Sequence, residues 1–231
     1  MIAENIERIE ERIVNACIRC GRKREEITLM AVTKFHGIDA AEEAWKAGIR
    51  CFGESRVQEA AEKFGARGGR FPGAELHLIG NLQRNKAKTA VSLFDCIESL
   101  DREELAKELA KHASREVPVL LELHTGEESK SGFADPDGLC RAFETISACP
   151  SLTVRGLMTM APNTSDEQPV RAAFRKLAQA RRELERRFPP AEIGRHSWSC
   201  LSMGMSGDFE LAIEEGSTLI RIGSAIFGER T

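Results

Sequence analysis

The chain has 231 residues, 42% hydrophobic and 30% charged, with a net charge of −3 at neutral pH. That length suits one α/β barrel with a substantial core. The interspersed charges form no basic stripe for nucleic acid, and no apolar run nears the roughly 18 residues of a membrane span. Seven cysteines without metal-type spacing read as reduced, mostly buried thiols of a cytoplasmic protein, and there is no tyrosine.

Taken in chain order, the N-terminus alternates Glu and Arg with Ile and is neither a signal nor a transit peptide. Ile2, Ile6, Ile9, Ile13, Cys17 and Ile18 fall at helical spacing and predict an opening amphipathic helix. Ile27 to Thr33 reads as a buried strand. Asp39 and Glu42 form an expected capping box for a helix that Gly48 stops. Ile49 to Phe52 is a second strand, and Val57 to Phe64 a helix ending at Gly65. Leu76 to Ile79 is a third strand, followed by a helix near Asn85 to Leu93. Cys96 to Leu100 is a fourth, and Asp101 with Glu104 forms a second capping box opening a helix to about Ala113.

Val117 to Leu123 is a fifth strand, followed by a polar loop over Thr125 to Gly132 and a helix around Asp137 to Ala148. Val154 to Met160 is a sixth. Ser165 and Gln168 cap a long helix whose inner face is Val170, Phe174, Leu177 and Leu184. Trp198 to Ser202 is a seventh strand, a helix opens at about Gly207, and Leu219 to Ile222 is an eighth strand. The strands are mostly continuous apolar runs, as in a parallel sheet covered on both faces. Their alternation with helices predicts a single α/β domain over 1–231, a (β/α)8 TIM barrel with an extra N-terminal helix. A doubly wound open sheet is the alternative.

In a barrel of this kind chemistry belongs at the C-terminal ends of the strands. The first strand ends at Lys34, whose amine, neutral if partly buried, can attack an aldehyde and form a Schiff base. Arg221 lies inside the eighth strand between Ile220 and Ile222, and must meet a carboxylate or face a ligand. The small-residue turns Ser202 to Ser206 and Gly223-Ser224 expose backbone N–H groups beside a helix start, the construction of a phosphate site. Glu54 and Ser55 end the second strand at a helix start. His77 shares a strand face with Ile79 and reads as a hydrogen-bonded structural histidine. The charged loop Glu127 to Gly132 is a solvated loop or a lid over the barrel mouth.

Together, Val32-Thr33-Lys34, Phe52-Gly53-Glu54, His77 to Lys86, Glu127 to Gly132, Gly156-Leu157-Met158 and Ser202 to Gly228 resemble the pyridoxal phosphate homeostasis protein family. That family is a single-domain relative of the alanine racemase N-terminal barrel. The resemblance covers about Ile27 to Arg230. It implies that Lys34 holds pyridoxal 5′-phosphate (PLP) as an internal aldimine and that Arg221 faces the pyridine nitrogen. It further implies that Ser206, Gly223 and Ser224 cradle the phosphate, with Ser202 beside them. Three positions depart from the family pattern. Ser55 stands where Asn is common, Asn81 where Pro is common, and Leu123-His124-Thr125 replaces an Asn-bearing strand end one residue longer.

The resemblance implies a PLP-binding protein of intracellular PLP homeostasis, buffering the cofactor or delivering it to apo PLP-dependent enzymes, without dedicated turnover. The alternatives are a PLP-dependent amino-acid racemase and a Schiff-base aldolase. The racemase pattern pairs its lysine with a tyrosine from a second domain. This chain lacks tyrosine and ends three residues after Gly228. The aldolase reading needs carboxylates at strand ends and finds only Glu54 and Glu122. Neither nucleic acid nor membrane is expected as a partner. A monomer fits the short chain, with a dimer left open.

Overall fold

The apolar runs form eight parallel strands: β1 (Thr28–Val32), β2 (Cys51–Glu54), β3 (Glu75–Leu78), β4 (Cys96–Leu100), β5 (Val117–Glu122), β6 (Leu152–Met158), β7 (Cys200–Ser202) and β8 (Leu219–Ile222). In the computed structural model, which describes residues 1–126 and 131–228, they pair in chain order and β8 returns to β1, closing a (β/α)8 barrel. Around it lie α1 (Ile2–Cys20), α2 (Ile38–Lys46), α3 (Val57–Ala66), α4 (Ala87–Leu93), α5 (Glu103–His112), α6 (Pro136–Ser147), α7 (Glu167–Arg187), α8 (Phe209–Glu214) and α9 (Ser224–Phe227). No helix among the described residues is long and apolar enough to cross a membrane. No group of three or more His, Cys, Asp or Glu among them could hold a metal ion. All seven cysteines are free thiols.

Strand alternation sends successive side chains to opposite faces of the wall. Leu29, Ala31, Phe52, Leu76, Leu78 and Ile97 join the main core between wall and helices. Met30, Val32, Cys51 and Leu219 form one smaller cluster inside the barrel, and Cys96, Leu120 and Met158 another. Both faces are largely apolar, which is why the strands read as mostly continuous apolar runs. The same inward parity carries Glu98, Glu122, Ser202 and Arg221 into the upper barrel, all buried. Gly156 shows how tightly the wall closes. Its φ is +148°, and a Cβ there would lie 1.9 Å from the Cys200 carbonyl oxygen, so any side chain would push β7 off β6.

Several element ends differ from the sequence expectations. Neither Asp39 nor Asp101 caps a helix: α2 starts one residue before Asp39 with Gly37 as its cap, and α5 is capped by Arg102 without a side-chain bond. Asp101 instead accepts from Asn81 Nδ2 at 3.1 Å, a tertiary contact winning over a local one. The cap of α7 is Asp166 rather than Ser165, its carboxylate accepting from Gln168 N at 2.9 Å. β2 runs two residues further than expected, to Glu54, and β7 starts only at Cys200. Trp198 lies before β7, buried against Phe143 with ring centroids 4.8 Å apart. α8 begins at Phe209 rather than Gly207, and the residues after Gly223 form a one-turn helix, α9.

The short α8 is tied to its neighbours by charge. Arg12 and Arg19 of α1 reach Glu210 at 2.7 and 2.8 Å, and Arg19 also reaches Glu214 at 2.9 Å. From α7, Arg171 meets Glu214 at 2.7 Å and Glu215 at 3.1 Å, and Arg175 meets Glu215 at 2.9 Å. Single exposed pairs contribute about 0–1 kcal/mol, but a shared network restricts each side chain once for several contacts.

Candidate functional site

The C-terminal mouth of the barrel holds a cavity of about 430 Å³ whose lining includes Lys34, Ser55, Glu122, Ser206, Arg221, Gly223 and Ser224. Exposed Phe35, Met160 and Met205 stand around its edge. Lys34 follows β1, where the ladder runs one residue further through Thr33 N to Gly53 O at 3.0 Å. The next residue, Phe35, has φ +68°, a left-handed conformation that costs a residue bearing a Cβ about 1–2 kcal/mol. It is held there by its N–H donating to Glu59 Oε1 at 2.6 Å and by the Arg56 guanidinium 5.5 Å from the ring centroid.

Behind Lys34 the wall is braced by buried charge. The Lys63 ammonium of α3 donates to the Thr33 carbonyl at 2.7 Å and to Glu54 Oε1 at 2.6 Å, and lies 3.6 Å from Glu59. Thr33 Oγ1 donates to the same Glu54 oxygen at 2.6 Å. Glu54 Oε2, also buried, has no partner among the described residues. Burial pushes the Glu54 carboxyl above its ordinary value, against the pull of the Lys63 and Thr33 bonds. Lys63 thus fixes the residue before Lys34 directly and, through its pair with Glu59, the residue after it. Across the mouth, a Cβ on Gly80 would lie 2.2 Å from the Ser55 carbonyl oxygen, so glycine is what lets the β3 loop close over β2.

Arg221 forms the floor, 4% exposed. It donates to Ser202 Oγ at 2.6 Å and to the Thr159 carbonyl at 2.8 Å. Desolvation lowers the guanidinium's pKa, but Glu98, Asp208 and Glu122 oppose that, and a guanidinium stays charged in proteins. Glu122 lies on the same cavity, accepting from Ser131 Oγ at 2.7 Å, its carboxyl raised by burial. Near the rim, Ser206 Oγ accepts from the N–H groups of Gly223 and Ala225, both at 3.3 Å. Two amides converging on one oxygen form an anion cradle. α8 and α9 are six and four residues long, so these amides and hydroxyls, rather than a helix dipole, define the corner.

The structure therefore brings Lys34, Arg221, Ser206, Gly223 and Ser224 onto one cavity. Ser202 is placed elsewhere: fully buried behind Arg221, it joins the guanidinium to Glu98, donating to Glu98 Oε2 at 2.5 Å. Ser55 and Asn81, two of the departures from the family pattern, also line the cavity. Of the Glu127 to Gly132 loop, Glu127 to Lys130 lie outside the described residues. Sequence reasoning passed over Glu98 and Lys63. Glu98 could have been found by the argument that singled out Arg221, since it too is a charge inside an apolar strand. Lys63 sits on an ordinary amphipathic helix and gives no such signal. His77 is the hydrogen-bonded histidine expected, with Glu98 as its buried partner at 2.7 Å.

A sequence profile for the alanine racemase N-terminal domain matches residues 2–231. The chain is 42% identical over 235 residues to a pyridoxal phosphate homeostasis protein of Vibrio cholerae, covering 99% of this chain and 96% of that one. It is 40% identical over 230 residues to the protein of the same name from Aquifex aeolicus, covering 98% and 97% of the two. Its fold is similar to that of PipY from Synechococcus elongatus, solved with PLP bound. That match has a TM-score of 0.83 and 35% identity, and covers 99% of this chain and all of the other.

Proposed function

The chain belongs to the pyridoxal phosphate homeostasis protein family, built on the alanine racemase N-terminal barrel, and from that premise we propose that it binds PLP as an aldimine on Lys34. It then serves intracellular PLP homeostasis, buffering the cofactor or delivering it to apo-enzymes, rather than catalytic turnover. The observation that carries this reading is one cavity lined by a lysine, a buried guanidinium and a turn of converging N–H groups.

The donor set fits the aldehyde, the phosphate and the ring nitrogen of PLP. Lys34 supplies an amine for the aldehyde. The amides of Gly223 and Ala225, with the Ser206 and Ser224 hydroxyls, supply neutral donors for the phosphate, and Ser206 Oγ gives up those two amides to it. Arg221 has only N–H donors, so a ring nitrogen beside it accepts a bond and holds no proton. Bound PLP supplies an electron sink for carbanions, a weak one when its ring is unprotonated. Arg221 therefore restrains the chemistry that the cofactor would otherwise offer.

Purified protein mixed with PLP is expected to show an imine absorbance band and to be fixed by borohydride at Lys34, and Lys34→Ala to lose both. Wild-type protein that stays colourless and unlabelled overturns the reading. One observation keeps the racemase alternative in view: Glu122 is a buried carboxyl on the same cavity. Sustained racemisation by the lone chain at about 1 per second or faster, lost in Glu122→Gln, would decide for that alternative.

A further inference from the structure

Beneath Arg221, the barrel interior holds an unbroken line of polar side chains. Arg221 Nη1 donates to Ser202 Oγ at 2.6 Å, and Ser202 Oγ donates to Glu98 Oε2 at 2.5 Å. Glu98 Oε1 meets His77 Nδ1 at 2.7 Å, and His77 Nε2 meets Glu75 Oε2 at 3.2 Å. Glu98 is fully buried and His77 nearly so, whereas the Glu75 side chain is 69% exposed. Glu75 lines a cleft with Arg24 and Arg50, by the N-terminal ends of β1 and β2. The line runs from the cofactor cavity through the barrel to the opposite mouth.

Geometry assigns its protons. A carboxylate faces each ring nitrogen of His77, an arrangement that a ring protonated on both nitrogens satisfies, whereas a neutral imidazole would turn a lone pair toward one of them. Burial disfavours the charge of the doubly protonated ring, but the Glu75 and Glu98 carboxylates, one at each ring nitrogen, favour it, and the pKa stands well above the ordinary histidine value. Burial would likewise raise Glu98, yet the His77 bond, the charges of His77 and Arg221, and the Ser202 hydroxyl hold it below the ordinary glutamate value. Asp208 and Glu122 also face Arg221, and Arg155 and Arg70 act on Glu75. Burial raises the Cys51, Cys96 and Cys200 thiols, so all three stay protonated near neutral pH.

We propose that Glu98 and His77 are positioning residues for Arg221, a line of alternating charge that fixes the guanidinium's orientation and the electrostatic potential it presents to the ring of a bound cofactor. The inference rests on the reading of Arg221 as the residue facing that ring. Without Glu98, Arg221 and the His77 cation would be two buried positive charges with no anion between them. Without His77, Glu98 would keep its Ser202 and Arg221 partners but lose the cation that balances it.

The test combines nitrogen NMR of the His77 ring in the free protein with the pH profile of visible absorbance in the PLP-loaded protein. Both ring nitrogens are expected to stay protonated to above pH 8. His77→Gln should add to the absorbance profile a transition absent from wild type, the titration of Glu98. The double variant His77→Gln/Glu98→Gln should lose that transition, which a merely structural role would not produce. Should His77→Gln fail to fold, Glu75→Gln changes an exposed side chain: the His77 titration moves to lower pH and the absorbance profile shifts with the same midpoint. A neutral His77 ring at pH 7 overturns the proposal. So does a folded His77→Gln whose profile superimposes on wild type, or a Glu75→Gln in which the ring shifts and the absorbance does not. Failure of PLP to bind at all strikes the functional reading instead and leaves the NMR result standing.

Discussion

Glu54 and Glu98 are both fully buried carboxylates supporting the same cavity, yet their environments are opposite. Glu54 lies outside the barrel wall under α3, crowds Thr33 and Lys63 onto one oxygen, and leaves the other without a partner among the described residues. Glu98 lies inside, with a separate donor on each oxygen and two cations nearby. Burial dominates the first and raises its pKa. Partners overcome burial in the second and lower it. Depth alone therefore does not set the charge of a buried acid here; the hydrogen-bond donors and charges around it do. The Lys34 side is a clamp with one unsatisfied atom, and the Arg221 side is a fully assigned chain.

That contrast can be broken by substitution. The largest effect is expected from Glu98→Gln, which strips the anion from between two buried cations. It should lower stability by about 3–5 kcal/mol at neutral pH, measured by urea unfolding. Lys63→Met should cost somewhat less, about 3 kcal/mol, because Glu54 can take up a proton. Its deficit should shrink in urea melts at lower pH, and a deficit that grows there would contradict the raised Glu54 pKa. Glu54→Gln keeps an acceptor for Thr33 and Lys63 and should stay within about 1 kcal/mol of wild type.

Acid and base dependence sharpen the same comparison. Glu98 has its pKa lowered in the folded state, so its contribution is present above the ordinary value of 4.5 and is lost as pH falls through the folded value. Glu54 is raised, so its contribution is present below 4.5 and fades as pH rises through the folded value. Stability–pH curves of the two Gln variants, each subtracted from wild type, should slope in opposite directions. The smallest effect belongs to Phe35→Gly, which relieves a left-handed backbone and should change stability by less than about 1 kcal/mol in thermal melts.

The barrel was legible because its strands are short apolar runs separated by amphipathic helices, and the cavity because Lys34 ends the first of those runs and Arg221 interrupts the last. The capping box at Asp101 fails because a side chain that caps a helix is equally able to make a tertiary bond, here with Asn81, and the one at Asp39 fails because α2 starts a residue earlier and takes Asp39 into its first turn. The family resemblance puts Ser202 beside the phosphate cradle, and strand parity turns its hydroxyl into the barrel toward Glu98. Phe35 carries no sign of its left-handed backbone, since neither glycine nor asparagine marks the position. Contacts such as Lys63 to Thr33 join residues thirty apart and are set by the helix–strand packing angle, which no local pattern encodes.

The ion pairs around α8 give the cavity a dependence on ionic strength. A helix of six residues is too short to hold itself together, and α8 owes its place to buried Phe209, Ala212 and Ile213 together with partly exposed arginines of α1 and α7. Salt shortens the reach of such charges, to about 8 Å at physiological strength and about 3 Å at 1 M. Amide hydrogen exchange across Phe209–Glu214 should therefore quicken with added salt while the β4 amides hold steady. The corner that carries Ser206 should then loosen at salt concentrations that leave β4 unchanged.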